Sequence, residues 1–185
     1  MAKRKYLRAP VNGPILFDDN GDVLRGVMLN ISEDGSLLSE LSHVPDINLI
    51  PMLIGLVQFP DFSSMPNDHI LELKRGIFTK KIIRARGKLI RANKVKSEVD
   101  QIFLSNMACQ FFDLNESSQK VIRKYVSVFA KNIIFLLQLF EKNSSKGSNV
   151  NIIRKIAFLM NYDGNKKIKD LKREVLHDYQ SLEVL

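Results

Sequence analysis

The spacing of apolar residues changes once along this chain, at Asn115, and that change constrains the fold more than any other feature. From Val11 to about Asp113, short runs rich in Ile, Val, Leu and Phe alternate with turn residues, the pattern of successive strands. Alternation is clearest where Arg84, Arg86 and Lys88 fall on one face and Ala85, Gly87 and Leu89 on the other, so that one face packs inward and the other meets water. Beyond Asn115, the apolar residues Ile122, Val126, Phe129, Ile133, Leu136 and Phe140 recur at steps of three and four. This predicts one helix to about Lys142, capped by Asn115 or Ser117.

The strand region reads as mainly β, a six- to seven-stranded antiparallel barrel, with the long helix and a short helical tail after it. Asn20-Gly21 between Ile15-Leu16-Phe17 and Val23-Leu24 predicts a tight hairpin, because both residues tolerate positive φ. Further strands are expected at Gly26–Ile31, Ser36–Leu41, Leu53–Phe59, Ile70–Leu73, Arg75–Ile83, Ala85–Ala92 and Ile102–Phe112, with a loop over Pro60–Asp68. Asn143 to Asn149 reads as a linker, followed by one short helix over Ile152–Met160 and another over Ile168–Leu182. The expected organisation is a barrel with its helix over residues 1–142 and a linker with a helical tail over 143–185. A helix to Lys142 would be about 39 Å long at ~1.5 Å per residue, more than a small barrel covers. Its distal half either packs on the C-terminal segment or forms a homo-oligomer interface through residues 115–142.

At 185 residues, with 45% hydrophobic and 26% charged, the composition is that of a soluble globular chain, neither disordered nor a membrane bundle. No signal peptide is expected, since Met1 to Arg8 is basic with no apolar stretch behind it. The apolar run Ile47–Val57, broken by Asn48 and Pro51, is too short to span a bilayer. Cys109 is the sole cysteine, so no intramolecular disulfide can form, and a reducing cytoplasm is the expected setting.

The formal charge of +8 suits an anionic partner: a nucleotide, a nucleic acid or an acidic lipid surface. Ten Lys and Arg residues lie between Lys74 and Lys96 with no acid among them, but Phe78 is the sole aromatic there and the chain has no Trp. A single-stranded nucleic-acid platform would carry stacking aromatics, so a solvated strand face is the better reading. The acidic cluster Asp18 to Asp22 starts like a calcium loop, yet Val23 stands where Gly is required and Leu29 where the bidentate Glu belongs. His43, His69 and His177 are scattered without ligand spacing, and no nucleophile sits in a recognisable motif. Neither a metal site, nor a cofactor, nor catalysis is expected.

Two short motifs stand in order: Arg4-Lys5-Tyr6-Leu7-Arg8, an R-x-x-x-R, and Asn30-Ile31-Ser32-Glu33-Asp34-Gly35, an N-x-S-x-x-G. Alone, the first is a basic tail and the second a capped turn. Together they resemble the signature of the PilZ family, and the likeness extends over roughly residues 4 to 130. Arg8-Ala9-Pro10-Val11 looks like that family's lead into its first strand, Asn30 to Leu38 like its strand-turn-strand, and Gly87 to Arg91 like a later strand. Ala108 to Leu114, followed by Gln119, Ile122 and Tyr125, is similar to its closing strand and helix. Ala108, where the family often has Gly, and the expanded stretch between Leu41 and Leu73 are departures from the pattern.

The resemblance implies a PilZ-like barrel that binds cyclic di-GMP through Arg4, Arg8, Asn30, Ser32 and Gly35, and signals to a protein partner. The chemistry fits. Cyclic di-GMP offers two phosphodiesters and two guanine edges; arginine pairs with phosphate, forks onto guanine O6 and N7, and stacks on a base, whereas lysine manages only the first. Asn30 and Ser32, two apart at a strand end, offer an amide and a hydroxyl to a guanine edge, and Gly35 permits close approach of the turn. The alternative readings are a PilZ-like scaffold that only oligomerises and a basic nucleic-acid-binding barrel.

Overall fold

The computed structural model describes residues 6–46, 49–96, 103–143 and 149–182. They fall into two compact units: one holds the described residues up to Val57 together with Lys80–Val126, the other Gln58–Thr79 and the described residues from Ser127 onward. The segment inserted between the fourth and fifth strands belongs with the helical tail and the distal part of the long helix.

The first unit is a closed antiparallel barrel of six strands: β1 (Ala9–Asp19), β2 (Asp22–Ile31), β3 (Gly35–Leu41), β4 (Leu49–Val57), β5 (Lys80–Lys96) and β6 (Phe103–Phe112), in the order β1-β2-β3-β6-β5-β4, with β4 returning to β1. The barrel and following helix implied by the PilZ resemblance are thus the architecture observed, with six strands. Closure follows from the alternation: Ile15, Phe17, Met28, Ile31, Leu38, Ile50, Met52, Ile54, Ile83 and Met107 point inward and are buried. Each such side chain contributes about 1.5–3 kcal/mol by leaving water. Asn20 (φ 56°) and Gly21 (φ 96°) make the two-residue turn of the first hairpin, whose backbone twist matches that of the flanking strands.

Two strand expectations merge and one disappears. Arg75–Ile83 and Ala85–Ala92 are not separate strands: Arg84 sits in the ladder opposite Leu53, and β5 runs unbroken from Lys80 to Lys96. Ile70–Leu73 is not a strand; Asn67–Glu72 is a short helix, α1, which buries Ile70 alone, and Asp68 in its first turn suits the positive end of the helix dipole. Before α1, Phe62–Ser64 forms a 3-10 turn within the expected loop, and another follows over Arg75–Ile77. Strand β4 begins before Pro51, a residue that argues against a strand in sequence yet sits exposed in the ladder opposite Arg86.

The long helix, α2, spans Glu116–Asn143, and Asn115 is its cap: Asn115 Oδ1 accepts from the Ser118 amide at 2.8 Å. Its early residues Ile122, Tyr125 and Val126 are buried in the first unit. In the second unit it runs with α1, α3 (Val150–Leu159) and α4 (Ile168–Leu182). There Phe129, Ile133, Leu136 and Phe140 are buried together with Ile153, Ile156, Leu171 and Val175. The apolar stripe of the helix is thus covered within the chain. Asn132 is the exception in that stripe: fully buried, it accepts from the Phe62 amide and donates to the Pro60 carbonyl, both at 2.9 Å, and so fixes the inserted segment. Phe59 reinforces the contact, edge-on to Phe78 and tilted against Phe129.

Candidate functional site

Four of the five residues expected to bind ligand, Arg8, Asn30, Ser32 and Gly35, lie at one end of the β1–β2 pair. Pairing of Ala9 with Ile31 and of Pro10 with Asn30 brings Arg8, immediately before β1, alongside the turn that follows β2. Ala9 and Ile31 face inward and are fully buried, while Arg8, Pro10 and Asn30 keep partial contact with solvent. Among the described residues, neither the Arg8 guanidinium nor the Asn30 amide has an ion pair or hydrogen bond. Arg4 lies outside the described residues.

Ser32 and Gly35 hold the turn together. Ser32 was expected to share a face with Asn30, but it lies beyond the end of β2 and is fully buried. Its amide donates to the Gly35 carbonyl at 2.8 Å, and its hydroxyl donates to Asp34 Oδ1 at 2.5 Å with the Gly35 carbonyl 3.1 Å away. Gly35 is needed for a reason internal to the barrel: a Cβ there would lie 2.2 Å from the Cys109 carbonyl oxygen, across the β3–β6 ladder. The Phe111 amide donates to the Asp34 carbonyl at 2.8 Å, which extends the tie to β6.

The start of α2 touches both sides of this site, which sequence reasoning missed. Tyr125, buried in the first unit, donates its hydroxyl to the Pro10 carbonyl at 2.7 Å, and burial raises its pKa well above the usual phenol range. Arg123 donates from Nε and Nη2 to Glu33 Oε2 in the turn. The hydrogen bond and then the charge of Glu33, with a lesser contribution from Tyr6, raise the guanidinium pKa further. No local signal marks these pairs, since Glu33 and Arg123 are ninety residues apart in sequence.

His43 Nε2 lies 2.8 Å from Asp19 Oδ2 and its Nδ1 lies 3.1 Å from the hydroxyl of Ser42, at the edge of the barrel. No group of three ligating side chains that could hold a metal occurs among the described residues. Nor is any described helix long and apolar enough to cross a membrane. The Arg8–Asn30 end of the barrel carries a planar cation and a side-chain amide, neither with a partner among the described residues, next to a turn tied to β6.

No protein-family model matches the chain, and no curated protein matches it in sequence. Among solved structures it is similar to the Bacillus subtilis inhibitor of motility MotI/DgrA, at 12% identity and a TM-score of 0.47 over 68% of this chain and 50% of that one. It is also similar to the PilZ domain of Escherichia coli YcgR with c-di-GMP, at 14% identity and a TM-score of 0.39 over 69% and 92% of the two chains. The K. pneumonia MrkH–c-di-GMP complex is similar at 12% identity and a TM-score of 0.43 over 67% and 50%. The chain thus spans about half the length of the MotI/DgrA and MrkH chains. At such identities and TM-scores the likeness concerns the fold, and nothing about ligand or partner follows from it.

Proposed function

We propose that this chain is a receptor for cyclic di-GMP, a binding module without catalysis, whose ligand is held at the Arg8–Asn30 end of the barrel. Arg8, with Arg4 from the N-terminal arm, pairs with phosphate and forks onto a guanine edge. Asn30 bonds a guanine edge from β2. Ser32 and Gly35 act through the turn, one by locking it and the other by letting β3 lie close against β6. The observation that carries this reading is the pairing of Pro10 with Asn30, which brings the start of β1, next to Arg8, and the Asn30-to-Gly35 turn to the same end of the barrel, in the order the PilZ signature implies.

Charge-assisted hydrogen bonds contribute about 1.5–3 kcal/mol each, so loss of one arginine weakens binding by roughly tenfold or more. Hydrogen exchange on the full chain, with and without cyclic di-GMP, tests the location. Protection is expected at residues 6–10 and 30–35. Ligand-dependent protection confined to other segments would overturn the assignment of the site.

A further inference from the structure

A second surface of the barrel, on the outer face of β1, β4 and β5, has the makings of a docking groove. Along one row across the strands, Arg25 pairs with Leu16, Leu16 with Leu53, and Leu53 with Arg84, so two leucines lie side by side with an arginine at each end. All four point outward, and both leucines are 42% exposed. At about 4.8 Å between strands, the two arginine backbones stand roughly 14 Å apart. On the next row Pro51 pairs with Arg86 and Arg86 with Phe112, which is itself half exposed. Leu16, Pro51, Leu53, Arg84 and Arg86 of these rows line a groove of about 550 Å³, with Asp18 and Asp113 also in its lining. Among the described residues, Arg25, Arg84 and Arg86 have neither an ion pair nor a hydrogen bond.

We propose that this groove docks an acidic segment of a partner protein, with an apolar side chain seated on Leu16 and Leu53 and carboxylates on Arg84 and Arg86. Uncommitted guanidiniums around an apolar centre are the chemistry of a protein-binding hot spot, since arginine forks onto carboxylates and its stem adds apolar contact. A second copy of the chain fits poorly: a two-fold contact centred on this row would set the arginines of one copy against those of the other, in a chain of formal charge +8. An anionic bilayer fits poorly too, because the leucines line a concavity that a flat lipid surface does not enter.

Selection of phage-displayed random peptides on the full-length chain, at about 0.15 M salt so that only close charges count, tests this. The expected winners carry two or more Asp or Glu residues within a few positions of Leu, Ile or Phe. A synthetic winner should bind at least about tenfold more weakly to the Arg84→Gln, Arg86→Gln double variant, as the loss of two charge-assisted contacts requires. These side chains are exposed, so circular dichroism and the thermal midpoint should stay as in the parent chain. Leu53→Ser should weaken the same peptide; if that variant does not fold, the arginine pair alone decides. Failure to enrich acidic-apolar sequences, or undiminished binding to the arginine variant, would overturn the proposal. So would a finding that the double substitution instead removes self-association in sedimentation, or binding to phosphatidylglycerol vesicles or to a random oligonucleotide. None of these outcomes depends on whether the chain binds cyclic di-GMP.

Discussion

Arg123, early in α2, donates from both Nε and Nη2 to one oxygen of Glu33, at 2.9 and 2.8 Å, and so ties the helix to the turn of the candidate site. Two residues on, Tyr125 holds the Pro10 carbonyl on the other side of the same site. Any rearrangement of the turn or of the strand start is therefore felt by α2.

The Arg123–Glu33 pair is exposed, so water and salt leave it little weight in stability. Its effect on a dianionic ligand is another matter. Arg123→Gln leaves Glu33 as an unpaired anion near the proposed phosphate position and is expected to lower affinity for cyclic di-GMP severalfold, whereas Glu33→Gln raises it. Calorimetry on both variants, with thermal midpoints as controls, checks this. Equal affinities would remove the electrostatic link.

Gly35→Ala tests the turn through the barrel. Its Cβ would stand 2.2 Å from a backbone oxygen that cannot swing away, so β3 and β6 must part. A loss of roughly 3 kcal/mol in urea denaturation is expected, at the upper end of ordinary overpacking. A stability unchanged from the parent chain would show that the strands have room that the geometry denies them.

Asn132→Ala strips partners from the Phe62 amide and the Pro60 carbonyl at once. With each unsatisfied buried group costing about 1–3 kcal/mol, a destabilisation of about 2–4 kcal/mol is expected, together with faster proteolysis within residues 58–79. Resistance equal to that of the parent chain would mean that Phe59 and Phe62 hold the segment without it.

Cys109 is buried on β6, and burial pushes its thiol from 9.0 up to about 11. The folded chain therefore holds this proton more tightly than the unfolded one. The stability associated with it is intact below about pH 9 and declines as pH rises toward 11. At pH 8, alkylation by iodoacetamide should be slow in buffer and fast in denaturant when followed by mass spectrometry. Rapid labelling of the native chain would contradict the burial.

The parts of this fold that were legible in sequence are those set by near neighbours. Asn20-Gly21 announced the first hairpin, the steps from Ile122 to Phe140 announced α2, and the alternation about Arg84 announced which face of β5 is wet. The inserted segment was misread because α1 is only six residues long, too short to display a helical period, so Ile70 to Leu73 looked like a strand. The cover of the distal half of α2 stayed open in sequence between the chain's own C-terminal segment and a second subunit, because packing between helices distant in sequence leaves no local signal. In the candidate site, Arg8 and Asn30 were legible as motif residues, but the burial of Ser32 was not, since it depends on a hydroxyl turning back onto Asp34 and Gly35. Arg123 and Asn132 had no sequence signal, and Tyr125 was legible only as a residue of the helix, because each acts on a partner some seventy residues or more away.

Titration calorimetry of the full chain with cyclic di-GMP, repeated on Arg8→Ala, tests the central claim most directly. Saturable binding by the parent chain is expected, weakened at least about tenfold in the variant while its thermal midpoint holds. No binding by the parent chain, or the same affinity without the Arg8 guanidinium, would contradict it.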